Sequence, residues 1–195
     1  MANRNTKGFG LIPQGTIGST PATGGQGKYL IDAGMAVDLF QGTAVRSAAG
    51  YIVTAQAGIT NTCIGVLNGI FYNDASTKKP TFANFYNQPI TPANSEDITA
   101  FVIDNPNQLF VGAIDASAAQ SQYGRTYGLT VTAAGSEISG QSSSTLTYSS
   151  RADTANQWRL VRSAEDPSND ENAAYRSVVV AHNLNQYFTG AVTWQ

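Results

Sequence analysis

The chain is poor in the two side chains on which most metal sites and many enzymes depend. Among 195 residues there is one cysteine, Cys63, and one histidine, His182. A single cysteine excludes an intrachain disulfide, and with it the class of small secreted domains that disulfides hold together. One cysteine and one histidine also cannot supply the ligand set of a structural zinc site within one chain. The fold must therefore be stabilised by the burial of apolar side chains.

Charged side chains are scarce as well, at 12% of the chain, and the 11 basic and 13 acidic residues are scattered without runs. Binding to a phosphate backbone needs clustered basic residues, so nucleic acid is not an expected partner. No stretch reaches the roughly 18 apolar residues of a membrane span, and the first residues lack the apolar segment of a signal peptide. These features predict a soluble protein that folds in a cytosol and has no membrane partner.

Candidate catalytic groups are isolated along the sequence. His182 ends a predicted strand without a nucleophile motif nearby, and Cys63 heads an apolar run, where a small buried side chain is expected. The segment from Asp166 to Glu171 lacks the spacing of a calcium loop. A glycan hydrolase using Glu96 and Asp97 is one alternative, but adjacent strand residues face opposite ways. We therefore predict a protein that is not an enzyme, with no catalytic residue, metal or cofactor.

The first 27 residues differ in composition from the rest of the chain. They are rich in Gly, Thr, Asn, Gln and Pro and poor in large apolar groups, so they cannot fold alone. We predict an extended N-terminal arm over residues 1–27 and a β-rich body over residues 28–195. A disordered tail is the alternative. In an arm that orders on a partner, the expected partner-binding residues are Arg4, Lys7, Phe9, Leu11 and Ile12.

From residue 28 onward, short apolar runs alternate with turn residues, a pattern typical of strands and of a barrel or sandwich. The predicted strands are Tyr29 to Ile31, Thr43 to Arg46, Tyr51 to Thr54, Cys63 to Tyr72, Ile98 to Ile103, Leu109 to Ile114, Tyr127 to Thr132, Gln157 to Val161 and Arg176 to Ala181. One short helix is predicted within Ala116 to Tyr123. The predicted core includes Val45, Ile52, Ile64, Val66, Val102, Phe110, Leu160 and Val179.

Several of these segments, taken together, resemble the head decoration (cement) proteins of tailed bacteriophages. The resemblance is carried by the motifs Lys7-Gly8-Phe9, Lys28-Tyr29-Leu30-Ile31, Phe40-Gln41-Gly42-Thr43, Gly50-Tyr51-Ile52-Val53, Cys63-Ile64-Gly65-Val66, Val102-Ile103-Asp104-Asn105-Pro106 and Trp158-Arg159-Leu160-Val161. It implies a mainly β fold, with a single β-barrel or β-tulip-like domain, few short helices and an extended N-terminal arm.

The same resemblance implies a function and a location. It implies a structural virion protein on the outer surface of an icosahedral phage head, assembled in the host cytoplasm. There it would bind the major capsid protein and stabilise contacts between capsid subunits. It would also bind copies of itself, as a homotrimer or alternatively as a dimer.

Two other non-enzymatic functions stay open from the sequence. One is another virion part, such as a tail or fibre protein, although the chain has no repeat period of the kind that fibres usually show. The other is a β-sandwich carbohydrate-binding module that uses Trp158, Trp194 or the loop from Phe82 to Tyr86.

Overall fold

A computed structural model describes residues 7–18, 25–55, 62–130 and 135–188, and 48% of these described residues lie in strands. The strands are β1 (Ile12–Thr16), β2 (Gly27–Ile31), β3 (Ala44–Ala48), β4 (Tyr51–Thr54), β5 (Gly65–Asn73), β6 (Pro80–Ala83), β7 (Ile98–Ile103), β8 (Gln108–Ile114), β9 (Thr126–Leu129), β10 (Gly135–Ser136), β11 (Gln141–Ser142), β12 (Leu146–Ala152), β13 (Trp158–Ser163) and β14 (Arg176–His182). Short 3₁₀ turns cover Ala93–Ser95 and Gln120–Gln122. The prediction of a mainly β fold is confirmed.

Strands β8, β12, β9, β13 and β14 form a closed five-stranded barrel, because β14 pairs back onto β8. All of these pairs are antiparallel except the short β8–β12 pair. Closure removes free strand edges and encloses one apolar core. That core includes Leu11, Phe110, Ile114, Tyr127, Leu146, Trp158, Leu160, Val178 and Val180.

The N-terminal half of the body forms a second sheet, which we call the N-terminal sheet. Its strand order is β2-β7-β5-β3-β4, and β6 pairs with β5. More buried residues alternate with more exposed ones along β2, β6 and most of β7, as expected for a sheet with one buried face. Its core includes Ile31, Leu39, Val45, Ile52, Ile64, Leu67, Ile70, Tyr86, Ile98 and Val102.

The two halves are joined through packing and through the end of the chain. The predicted turn from Asp104 to Asn107 connects β7 to β8. After β14 the chain returns to the N-terminal sheet, where the Gln186 amide donates to the Ser47 carbonyl and accepts from the Ser47 N–H. Cys63 and Ile103 come from the N-terminal half but pack in the barrel core. The halves therefore share an apolar interface.

All eight predicted core residues are buried, and β4 and β7 have the predicted ends. Five strands are not among the nine predicted ones: β1, β6, β10, β11 and β12. The segment from Ala116 to Tyr123 forms a single 3₁₀ turn in place of the expected short helix. The last residues of the predicted strand Tyr127 to Thr132 lie outside the described residues.

In the part of the chain that the structure describes, the helical turns are far too short to cross a bilayer.

Candidate protein-binding surface

The fold brings the single cysteine and the single histidine together, although 119 residues separate them. The Cys63 Sγ lies 3.6 Å from the His182 Nδ1. The His182 ring also packs on Trp158, at a centroid distance of 4.5 Å, and makes a T-shaped contact with the Phe110 ring, at 5.6 Å. The sequence did not predict this contact, since neither residue carries a local signal for the other. The pair lies where the N-terminal half meets the barrel.

Burial determines the protonation of this pair. It raises the pKa of the Cys63 thiol to about 12 and lowers the pKa of His182 to about 4, because a low-polarity surrounding disfavours either charge. Part of the His182 residue reaches the surface, but its Nε2 is sealed and has no hydrogen-bond partner. At neutral pH both groups are therefore uncharged. A cysteine nucleophile needs the thiolate, which this surrounding disfavours.

The carboxylates considered for catalysis are directed to separate partners. Glu96 accepts hydrogen bonds from the amides of Asn73 and Asn94, whereas Asp97 accepts one from the Tyr51 hydroxyl. Within residues 7–18, 25–55, 62–130 and 135–188, no three His, Cys, Asp or Glu side chains group as metal ligands. The geometry therefore offers no paired-carboxylate site at Glu96 and Asp97.

Four of the five predicted partner-binding residues are described, and they lie in different surroundings. Lys7 and Ile12 are exposed, Phe9 is half-buried, and Leu11 is 1% exposed within the barrel core. Arg4 lies outside the described residues. While β1 is in place, Leu11 is not accessible to a partner.

The arm is bound to the protein's own body over part of its length. Strand β1 pairs antiparallel with β8, and the Leu11 N–H donates to the Gly42 carbonyl at 2.9 Å. A Cβ on Gly8 would lie 2.3 Å from the Ser143 carbonyl oxygen, so only glycine fits there. Strand β1, Ile12–Thr16, which the sequence assigned to an arm outside the body, thus extends the barrel sheet.

Two small cavities lie between β1 and the end of the N-terminal sheet, with volumes of about 180 and 250 Å³. They share Pro13, Asn68 and Ile103 in their walls. The amide of Gln41 donates to Asn68, and that of Gln108 donates to the Gly15 carbonyl. These hydrogen bonds hold the walls together, and the lining carries no charged side chain.

The outer face of the N-terminal sheet carries large apolar side chains across four neighbouring strands. Phe71 is opposite Phe82 in the β5–β6 pairing, and Phe101 lies on the adjacent strand β7. Leu30 on β2 is opposite Thr99 on β7. Directly opposed residues of antiparallel strands point to the same side of the sheet. We call this surface the apolar face, formed by Leu30, Phe71, Phe82 and Phe101.

Solvent reaches the apolar face in the single chain. Phe82 is 64% exposed and Leu30 is 43% exposed, while Phe71 and Phe101 are half-buried. The Phe82 and Phe101 rings lie 5.5 Å apart. A Cβ on Gly69 would lie only 3.2 Å from the Phe82 ring, so glycine leaves room for this ring between the strands. Contiguous exposed apolar groups of this kind mark interaction sites more often than scattered ones.

The aromatic group that the sequence placed in one loop is divided by the fold. Phe82 points to solvent from β6, whereas Phe85 stacks on Phe40 at 5.4 Å. Tyr86 is fully buried, and its hydroxyl donates to the Met35 carbonyl at 2.8 Å. The alternation of successive side chains in β2 and β7 indicates that Leu30 and Phe101 point outward. Only the strand order places these two side chains on the same face as Phe82.

Of the two tryptophans considered for a sugar site, the structure describes one. Trp158 is completely buried in the barrel, so its ring cannot stack on a sugar. Trp194 lies outside the described residues.

Comparisons of the chain with protein-family models, with curated proteins and with solved structures gave no match.

Proposed function

We propose that this protein is a non-catalytic structural subunit that binds other protein subunits through the apolar face. The observation that carries the proposal is the row of Leu30, Phe71, Phe82 and Phe101 on four adjacent strands. A flat sheet face suits a protein surface better than a small molecule, because small-molecule sites are concave. Aromatic side chains also dominate the centres of protein interfaces.

The specific form of the proposal is head decoration of a tailed bacteriophage. The protein binds the outside of an icosahedral head and stabilises contacts between major capsid protein subunits. The resemblance of the sequence motifs supports this form, and a β-rich body with a low share of charged residues is compatible with it. A shell presents many identical sites, so a moderate affinity per copy is sufficient for stable decoration.

Self-association belongs to the same proposal, with a homotrimer as the expected form and a dimer as the alternative. Cyclic closure gives a defined assembly, whereas an open head-to-tail contact would give a fibre. The sealed, neutral Cys63–His182 pair supports a role without catalysis. The protein is then part of the virion and is assembled in the host cytoplasm.

The arm has a smaller role in this proposal than the sequence alone indicated. Leu11 anchors β1 in the barrel, so the apolar face, not Leu11, supplies the main apolar contact. Lys7 and Ile12 are exposed and can lie at the margin of a contact.

The test is binding to expanded phage heads that lack decoration, measured by co-sedimentation and by occupancy in electron cryomicroscopy. Phe82→Ser should lower the affinity by about tenfold or more, because an aromatic at the centre of an interface contributes about 1.5 kcal/mol or more. Ile138→Ser is the matched control, since Ile138 is fully exposed in the turn between β10 and β11. Equal binding by both variants, or no binding by the wild-type protein, would contradict the proposal.

A further inference from the structure

Basic side chains differ in their interaction partners between the two halves of the molecule. In the barrel half, arginines are engaged by groups of the same chain. Arg125 pairs with Asp153, and Arg162 pairs with Glu165 at 3.0 Å. Arg159 donates to Asn183 at 2.7 Å. These arginines of the barrel half are therefore engaged by carboxylate or amide groups of the same chain.

The lysines around the apolar face have no such partners. Lys28, Lys78 and Lys79 are exposed, and within the described ranges none of them makes an ion pair with a carboxylate. Lys28 is opposite Phe101 in the β2–β7 pairing and therefore lies on the apolar face itself. Lys78 and Lys79 lie in the turn that leads into β6, which carries Phe82.

The acidic side chains nearby have other partners. Asp74 accepts hydrogen bonds from Thr77, which lower its pKa, and Lys78 adds a smaller effect in the same direction. Glu96 accepts a hydrogen bond from Asn73 at the end of β5. Asp104 accepts a hydrogen bond from the Tyr29 hydroxyl at 2.7 Å. Among the described residues, none of these carboxylates forms an ion pair with the three lysines, which are therefore available to an external partner.

We propose that the occupant of the apolar face is a protein surface with an apolar centre and a margin of Asp and Glu carboxylates. This inference rests on the proposed function, because it specifies the chemistry of the partner at the same face. Cations left unpaired at the rim of an apolar contact lose hydration, and carboxylates opposite them offset that loss. Lysine stems also cover apolar surface while their ammonium groups reach outward.

The experiment uses the full-length protein and undecorated expanded heads at increasing salt. Lys28→Glu combined with Lys78→Glu and Lys79→Glu should weaken binding on the order of tenfold at low salt and reduce its salt dependence. The matched control is Arg151→Glu, which reverses the charge of an exposed arginine on barrel strand β12, and it should alter binding less than twofold. Circular dichroism establishes that each variant is folded.

Carbodiimide cross-linking gives an independent measurement, because it joins lysines to carboxylates without a spacer. Cross-links from Lys28, Lys78 or Lys79 to acidic residues of the capsid protein would support the proposal. Cross-links from Lys7 alone would overturn it.

The outcomes separate this inference from the proposed function. If Phe82→Ser weakens binding but the three charge reversals do not, the face binds a partner without an acidic margin, and this inference is wrong while the function stands. If the reversals disrupt self-association in native mass spectrometry and leave head binding intact, the occupant is a second copy, which also overturns it. A wild-type protein that does not bind heads overturns both.

Discussion

The barrel and the N-terminal sheet are both built from β-strands, but they differ in how their strands and their outward side chains are paired. The barrel closes on itself through the β8–β14 pairing, and its arginines contact groups of the same chain. The N-terminal sheet buries one face, but its other face carries Leu30, Phe71, Phe82 and Phe101 toward solvent, with Lys28 among them. This difference is the basis for our proposal that the barrel is the scaffold and that the N-terminal sheet presents the binding surface.

The apolar contact between the barrel and the N-terminal sheet determines whether the two halves unfold together or independently. Phe110 lies at the barrel core against Trp158, with ring centroids 5.5 Å apart, and Ile70 lies in the N-terminal sheet core. Phe110→Ala should lower the free energy of unfolding by about 3 to 5 kcal/mol and Ile70→Ala by about 2 to 5 kcal/mol. Because the halves share an apolar interface, each variant should shift one common transition in denaturant. Two separate transitions, with only one shifted by each variant, would show that the halves unfold independently.

The arm strand provides a second test, because it extends the barrel sheet. Leu11 is buried and its neighbour Ile12 is 44% exposed. Leu11→Ala should lower the free energy of unfolding by about 2 to 4 kcal/mol, whereas Ile12→Ala should change it by roughly 0.5 kcal/mol or less. Thermal unfolding of the two variants measures the difference. Equal effects would mean that β1 does not contribute to the barrel in solution.

The Cys63–His182 contact makes the junction of the halves sensitive to acid. Burial lowers the pKa of His182 from 6.5 to about 4, so folding favours the neutral ring. Its contribution is fully present above about pH 6.5 and is lost as the pH falls toward 4, up to about 3 kcal/mol. His182→Phe should flatten the stability profile in that range, as measured by denaturant unfolding at several pH values. A wild-type profile as flat as that of the variant would refute the buried neutral histidine.

The apolar face should show the smallest effect on stability. Phe82 is 64% exposed, so Phe82→Ser should change the free energy of unfolding by about 0.5 kcal/mol or less. The comparison is sharpest when the same variant loses partner binding, as proposed above. A large loss of stability would mean that the Phe82–Phe101 contact supports the fold and that the face is not primarily a binding surface.

Parts of the fold followed from the sequence because the signal was local. The strands Tyr51–Thr54 and Ile98–Ile103 were predicted with their observed ends, since each is a short run rich in β-branched and aromatic residues. Strands β1, β6 and β12 were not predicted. Their residues include Pro, Gly, Thr and Ser, and they become strands because β8, β5 and β9 supply hydrogen-bonding partners.

Less of the candidate site than of the fold could be predicted from the sequence. The sequence indicated contact residues in the arm, namely Arg4, Lys7, Phe9, Leu11 and Ile12. It shows the composition of the arm but not the space that the barrel offers Leu11. It gave no reason to group Leu30 with Phe82, which lie on strands that are not adjacent in the sheet or close in the sequence.

The sequence by itself determined the β class, the buried strand positions and the absence of any local motif for catalysis, because alternation and turn residues act over a few positions. Only the tertiary structure decided the closure of the barrel, the contact of Cys63 with His182 and the assembly of the apolar face. Those features depend on strand order and on register between segments that are distant in the sequence. They are determined by pairing between strands and not by the propensity of each strand on its own.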